Sequence, residues 1–193
     1  MRGLLVAEKT WYQLYFANNL SLDSANTLRR RIADILERPD FGALTLVFSS
    51  DGGDTDQSIA LFNYLVDLPI HLHMHAAGHV GSAALPVFVA GRERTSAPFA
   101  RFFFHEYDWG FEKRQTLHQI DEAVKRLRSD IEMARNILKN RTKLPNKFLQ
   151  AIEGRAAPAV IDPKEAQTFG LVDEICELRN ISRDGMKAAV WTC

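Results

Sequence analysis

Apolar residues follow two different periods along the chain, and these periods alternate. Residues 43–48 form a near-continuous apolar run, which is typical of a strand buried on both faces of a parallel sheet. After Ser21, a suitable helix N-cap, apolar residues instead recur at helical spacing until Pro39 and Gly42. The apolar positions of that helix are Ala25, Leu28, Ile32 and Ile35.

The same alternation continues along the rest of the chain. The pattern predicts strands over 11–16, 43–48, 70–76, 99–104 and 171–175. It predicts further helices over 56–67, 82–90, about 112–141 and 145–154, and a brief last helix after an N-cap at Asp162. Strands and helices that alternate without a fixed sequence repeat predict an α/β layered domain.

Length and charge narrow the classes of function. At roughly 150 residues per domain, 193 residues predict one domain over 1–193, which ends in a polar tail over about 179–193. Lys and Arg number 24 and Asp and Glu also number 24, so the chain has no basic excess to attract nucleic acid.

The sequence predicts a soluble protein of the reducing cytoplasm. No run reaches the roughly 18 apolar residues that a membrane span needs. The first apolar run is too short for a signal peptide. Cys176 and Cys193 have neither a CxxC spacing nor a neighbouring histidine cluster, so the sequence predicts neither a zinc site nor a disulfide framework.

Two predicted loops, 49–54 and 78–82, contain glycine and follow buried strands. Ser82 lies at the start of a predicted helix, where unpaired backbone N–H groups can bind a developing oxyanion. Serine needs a base to become a nucleophile, and His105 at a strand end is the candidate. A serine at this position is more often only a helix cap, so spacing alone leaves both interpretations open.

Histidines alternate along one predicted strand, at His71, His73 and His75. The outer two Cα atoms are roughly 13 Å apart at about 3.3 Å per residue. At most a neighbouring pair with outside ligands could therefore bind a metal. A polar sheet face and a subunit contact are the other interpretations.

Residues 44–173 resemble the ClpP family, the proteolytic subunit of the Clp protease, and more distantly the ClpP/crotonase superfamily. The family's Ser-Pro-Gly-Gly loop is similar to 50–53, where Asp51 replaces the proline. Its nucleophile segment resembles 78–91, and its Arg, three apolar residues and His resemble 101–105. Its last motif, which ends in Gly-Leu-Val-Asp, is matched by 165–173.

The resemblance implies a ClpP/crotonase-like fold of repeated strand-strand-helix units with a long protruding handle helix over about 112–142. It implies a serine endopeptidase that acts on peptides or unfolded proteins without a metal or an organic cofactor. Ser82 would be the nucleophile, His105 the general base, and the N–H groups of Gly53 and Ala83 the oxyanion hole.

The third member of the family's catalytic triad has no match in the sequence. Counting back from 170–173 places the family's Asp at about Pro158, and 155–159 contains no carboxylate. Glu153 and Asp162 are the nearest carboxylates, and Asp162 is the candidate third member although it also suits a helix N-cap. Without an orienting acid, a serine protease can lose roughly 10⁴ in turnover.

The predicted handle helix has an apolar seam with alternating spacings of three and four residues. This seam fits either the protein's own sheet or an intersubunit contact, and in the resembled family the handle interlocks two rings. We therefore expect a homo-oligomer of one or more rings. The seam residues are Leu117, Ile120, Val124, Leu127, Ile131, Ala134 and Leu138.

Two further functions remain open from the sequence. The missing acid also fits a catalytically weak or inactive ClpP-like subunit or scaffold. Acyl-CoA chemistry of the crotonase type would also use an oxyanion hole. It would not explain why a serine and a histidine occupy positions 82 and 105. Only about ten residues precede Trp11, fewer than in the family's N-terminal gating segment, so the sequence leaves docking to a Clp-type ATPase uncertain.

Overall fold

The computed structural model describes residues 9–111, 113–180 and 186–193. The strands are β1 (Thr10–Ala17), β2 (Phe41–Ser50), β3 (His73–Gly81), β4 (Glu93–Ser96), β5 (Arg101–Phe104), β6 (Ala159–Ile161), β7 (Glu174–Ile175) and β8 (Lys187–Thr192). The helices are α1 (Leu22–Leu36), α2 (Thr55–Val66), α3 (Ala84–Phe88), α4 (Leu117–Arg141), α5 (Asn146–Ile152) and α6 (Pro163–Thr168).

The described strands form one mixed sheet with the main order β6-β5-β3-β2-β1-β8. The pairs along this order are parallel except β5 with β6, which is antiparallel. The first half of β3 pairs with β4 and its second half pairs with β5. The sheet therefore branches at β3, the strand that leads into the Ser82 turn. This arrangement confirms the predicted α/β class.

One face of the sheet carries the apolar core. Leu14, Leu46 and Met74 are cross-strand neighbours on this face and are fully buried. The helical positions predicted after Ser21 join the same core, and Ser21 caps α1 as predicted. Helices α1 and α2 contact each other, α1 contacts β1, and α3 contacts β3. These packed helices hold the carboxyl ends of β2 and β3 in place.

The other face carries a buried row of polar side chains. The Trp11 indole donates to Thr45 Oγ1 at 2.9 Å, and Thr45 Oγ1 lies 2.9 Å from His73 Nδ1. Thr95 Oγ1 lies 2.8 Å from His73 Nε2 and 2.7 Å from His75 Nδ1. These two histidines are therefore packed inside the protein and bonded to threonines.

The boundaries of β3 differ from the prediction. The strand begins at His73, where its partners begin, and runs through the predicted 78–82 loop to Gly81. Gly78 serves packing there, because a Cβ at this position would lie 3.0 Å from Ser49 Oγ. Helix α3 is correspondingly shorter than the predicted 82–90.

Three short strands were missed by the sequence analysis, namely β4, β6 and β8. Within the predicted polar tail over about 179–193, the last part forms β8, which pairs in parallel with β1. Residues 181–185 of that tail lie outside the described residues. These strands depend on their neighbours, because a run of three to six residues carries little periodic signal of its own.

Helix α4 begins later than the predicted handle, because a capping box between Thr116 and Gln119 fixes its first turn. Glu112, where the prediction began, lies outside the described residues. The predicted seam divides into two halves: Ala134 and Leu138 are buried, whereas Leu117 and Val124 are exposed. In the described ranges, we find no helix with the length and apolar character needed to span a membrane.

Candidate active site

Ser82 lies on a sharp turn between β3 and α3. Its φ of 52° is the one positive φ among the non-glycine residues that the structure describes. Such a conformation costs of order 1–3 kcal/mol and needs support from its surroundings. The Ser82 N–H donates to Phe103 O at 2.9 Å, and the Tyr107 hydroxyl donates to Ser82 O at 3.2 Å. These two bonds hold the turn from the β5 side.

The 50–54 loop crosses directly over this turn. A Cβ on Gly52 would lie 2.8 Å from Ser82 Cβ and 3.0 Å from the Ala83 nitrogen. A Cβ on Gly53 would collide with the Leu20 carbonyl oxygen. Leu20 fixes the loop from both sides, because its N–H donates to Gly52 O and its carbonyl accepts from the Asp54 N–H. The close approach of loop and turn therefore requires glycine at both positions.

Two main-chain donors remain available at this crossing. Within the described part of the chain, neither the Gly53 N–H nor the Ala83 N–H has a hydrogen-bond acceptor. The Ser58 hydroxyl donates to Ala83 O at 2.5 Å and so fixes the peptide that follows. A pair of preorganised N–H groups beside a serine can bind the oxyanion of a tetrahedral intermediate.

His105 directly follows β5 and is half-buried. Its ring stacks on Phe103 with centroids 4.9 Å apart. Phe103 and Tyr107, on either side of His105 in sequence, both hydrogen-bond to Ser82. The described hydrogen bonds include none between the Ser82 hydroxyl and the imidazole. Catalytic hydrogen bonds are often long without substrate, so this geometry is compatible with a nucleophile and its base.

Tyr107 is a site residue that the sequence analysis missed. Burial raises the pKa of Tyr107, and the nearby Asp130 carboxylate raises it further. The phenol therefore stays protonated and remains a donor to the Ser82 carbonyl. No sequence signal could have identified this contact, because it links residues 25 positions apart through the tertiary fold.

Asp162, the candidate third triad member from the sequence, caps α6, and no hydrogen bond among the described residues joins it to His105. Phe104 pairs with Ala159 and Phe102 with Ile161 in the antiparallel β5–β6 ladder. Extending this register places Asp162 four residues along β5 from His105, or about 13 Å. Its carboxylate accepts from the Glu165 N–H at 2.9 Å and caps α6.

The same register places Pro158 opposite His105. This is the position at which counting along the sequence expected the acid. Glu153, the other carboxylate near this segment, bonds to Arg135 Nε at 2.7 Å. The described residues therefore place no carboxylate directly across the ladder from the imidazole.

A second histidine lies near the site. His79 and Phe103 are close on the sheet, with ring centroids 6.0 Å apart. His79 Nε2 lies 3.6 Å from a carboxylate oxygen of Asp51, the residue that stands where the ClpP family has proline. This pair links β3 to the glycine loop at the rim of the site.

Comparison with known proteins agrees with this geometry. A sequence model of the Clp protease family matches residues 13–179, which include Ser82, His105 and both glycine segments. A relative, ATP-dependent Clp protease proteolytic subunit 2 of Borreliella burgdorferi, is 27% identical over 178 residues, covering 86% of this chain and 83% of the relative. Because the family match covers most of the chain, this protein belongs to the Clp protease family.

Proposed function

We propose that the protein is a serine endopeptidase that hydrolyses peptide bonds in peptides or unfolded proteins. The observation that carries this proposal is the Ser82 turn, which presents a hydroxyl beside two N–H groups that have no acceptor among the described residues. Membership of the Clp protease family supports the same reaction class.

The proposed mechanism proceeds through an acyl-enzyme. The Ser82 oxygen attacks the peptide carbonyl while His105 takes the hydroxyl proton. The N–H groups of Gly53 and Ala83 hold the resulting oxyanion. His105 then passes the proton to the leaving amine, and water, activated by the same imidazole, hydrolyses the ester.

The alternative is a subunit with weak or no catalytic activity. Pro158 favours this alternative, because the β5–β6 register, extended by one pair beyond Phe104 and Ala159, places it opposite His105, where a carboxylate would orient the ring. An imidazole without that acid can adopt the unproductive tautomer, which can lower turnover by roughly 10⁴. The nucleophile and the oxyanion donors would remain in such a subunit.

Labelling with a fluorophosphonate probe tests the proposal. The probe should label the native protein at one site, and Ser82→Ala should remove the label. Ser129→Ala, at an exposed serine of α4, is the matched control and should label normally. If native protein is not labelled, or if Ser82→Ala is labelled equally, the peptidase proposal fails and the inactive subunit is favoured.

The proposed assembly is a homo-oligomer, consistent with the family. The exposed half of the seam presents Leu117, Ile120 and Val124 to solvent on successive turns of α4. Another copy of the chain would bury this apolar stripe, as seams of this spacing do between helices. Several copies together would also shield the shallow catalytic site from folded proteins.

A further inference from the structure

A cavity of about 240 Å³ opens beside the proposed oxyanion hole, between the first turn of α2 and the middle of α4. Gly53 forms part of its wall. A substrate side chain in the cavity would therefore lie close to the peptide carbonyl whose oxyanion the Gly53 N–H would bind. The lining residues are Gly53, Asp54, Thr55, Asp56, Asp108, Trp109, Leu127 and Asp130.

Carboxylates dominate the polar wall of this cavity, at Asp54, Asp56, Asp108 and Asp130. The cation at its edge is Arg126, which bonds to Asp56 at 2.7 Å. The wall therefore carries a net negative charge that the surrounding described residues compensate only in part.

Of these four carboxylates Asp130 is the buried one, with only 6% of its surface exposed. The Thr55 hydroxyl donates to its Oδ2 at 2.7 Å. Across the described ranges, its second oxygen accepts no hydrogen bond and no cation lies within ion-pair distance of the carboxylate. Burial raises the pKa of Asp130. Because this second oxygen is not among the buried unpaired atoms of the described residues, it is accessible from the cavity, and a cationic guest can bind it there.

The rest of the wall suits an organic cation with an apolar stem. In the described part of the chain, no group of three His, Cys, Asp or Glu side chains is arranged to hold a metal ion. Trp109 and Leu127 provide apolar surface for methylene groups. The Trp109 ring already accepts a guanidinium, since Arg126 lies 5.1 Å from its centroid.

We infer that this cavity is a specificity pocket that binds a lysine or arginine side chain of the peptide substrate close to the scissile bond. The inference rests on the proposed function, because it assigns the substrate class of the same site. The ammonium or guanidinium group contacts the free oxygen of Asp130, and the methylene stem lies along Trp109.

Peptide binding to the Ser82→Ala protein tests this inference without requiring hydrolysis. The probes are fluorescein-labelled alanine-rich peptides that carry one lysine, norleucine or glutamate at each central position in turn. Fluorescence anisotropy measures their dissociation constants. At one position lysine should bind about tenfold more tightly than norleucine, and glutamate more weakly than both.

Three carboxylate variants in the Ser82→Ala background identify the pocket. Asp130→Asn and Asp108→Asn should each reduce the preference for lysine at least threefold. Asp121→Asn, at an exposed carboxylate of α4 outside the cavity, should retain it. Because Asp108 is exposed, its variant decides the outcome if Asp130→Asn does not fold, as circular dichroism would show.

Equal binding of lysine and norleucine at every position overturns the inference, as does a lysine preference that survives both cavity substitutions. Failure of this inference and failure of the proposed function are distinguishable. Fluorophosphonate labelling of the wild-type protein reports on Ser82, whereas these dissociation constants report on the cavity alone.

Discussion

Gly52 packs against the Ser82 turn and helps to hold its left-handed conformation. This contact is so close that it leaves no space for a side chain at position 52. Gly52 lies against both Ser82 Cβ and the Ala83 nitrogen, so the loop and the turn fix each other. The position of the nucleophile and of the second oxyanion donor therefore depends on a residue without a side chain of its own.

Gly52→Ala tests this dependence. The new Cβ would need space that Ser82 occupies, and φ at this position is +105°, which alanine rarely adopts. We expect loss of fluorophosphonate labelling by at least tenfold and a free energy of unfolding lower by about 1–3 kcal/mol.

Gly110→Ala is the matched control, because a Cβ there meets nothing within 4 Å. It should change neither labelling nor unfolding. Normal labelling of Gly52→Ala would show that the loop does not position the nucleophile.

His75 links stability to pH. Burial lowers the pKa of His75 from 6.5 to about 4 in the folded protein. Between these two pH values the unfolded chain binds a proton that the folded chain does not, so the free energy of unfolding rises with pH. The full difference is about 3 kcal/mol, lost as pH falls from 6.5 towards 4.

Urea unfolding measured from pH 4 to 7 checks this prediction. His75→Leu should flatten the rise in the free energy of unfolding. His118→Leu, at an exposed histidine of α4, should leave it unchanged. A wild-type slope that His75→Leu does not alter would assign the pH dependence to other groups.

At the scale of elements, the register of the antiparallel β5–β6 ladder, extended by one pair beyond Phe104 and Ala159, places Pro158 opposite His105. Directly opposite residues of such a pair have Cβ atoms about 4.5–5.5 Å apart. A carboxylate at position 158 could therefore reach the imidazole, whereas one at position 162 could not.

Pro158→Asp should increase peptidase activity, because it places an orienting acid opposite His105. We expect kcat/KM for an unstructured fluorogenic peptide to rise at least tenfold, within the roughly 10⁴ that an orienting acid can contribute. Pro158 is exposed, so the substitution should not disturb the core.

Val160→Asp is the control for added charge on the same face of β6. It lies opposite Phe103 and is also exposed. Its activity should remain at the wild-type level. An equal rise in both variants would show that negative charge near the site acts without orienting His105.

The sequence predicts an element well when interactions within that element stabilise it, and poorly when its stability depends on distant parts of the chain. Helix α1 was predictable because its apolar period and its Ser21 cap are local. Strand β2 was predictable because residues 43–48 form a near-continuous apolar run within it. β6 and β8 were missed because they are short and form through hydrogen bonds to β5 and β1, which are distant in sequence.

The candidate site shows the same division. Ser82 and His105 stand in recognisable local sequence contexts, so the sequence was sufficient to nominate them. Asp162 was nominated by its nearness along the chain, but strand register decides which residue faces His105. Asp130 and Tyr107 gave no signal, since Asp130 bonds to Thr55 of α2 and Tyr107 to the Ser82 carbonyl, and both contacts join residues that are distant in sequence.

At the scale of the whole molecule, α4 has two different environments. Its C-terminal half packs into the protein's own core, and its N-terminal half presents an apolar stripe, with Leu117 76% exposed. A contiguous exposed apolar stripe on a helix generally marks an interaction surface.

Ile120→Glu should therefore weaken the oligomer, because it places a charge in the centre of that stripe. Light scattering should show a lower mass at micromolar concentration, with the circular dichroism spectrum unchanged. His118→Glu adds the same charge on the side of α4 roughly opposite Ile120, at a residue that is exposed, and should retain the wild-type mass. A monomeric wild-type protein would contradict the proposed assembly.

The pairing of β8 with β1 affects how the chain folds during its synthesis. Thr10 pairs with Lys187, so the outer edge of β1 is completed by residues synthesised 177 positions later. During translation β1 can pair with β2 early, but its other edge stays open until β8 leaves the ribosome. An unpaired edge is a template for pairing with another chain. The nascent protein is therefore exposed to aggregation until β8 is in place.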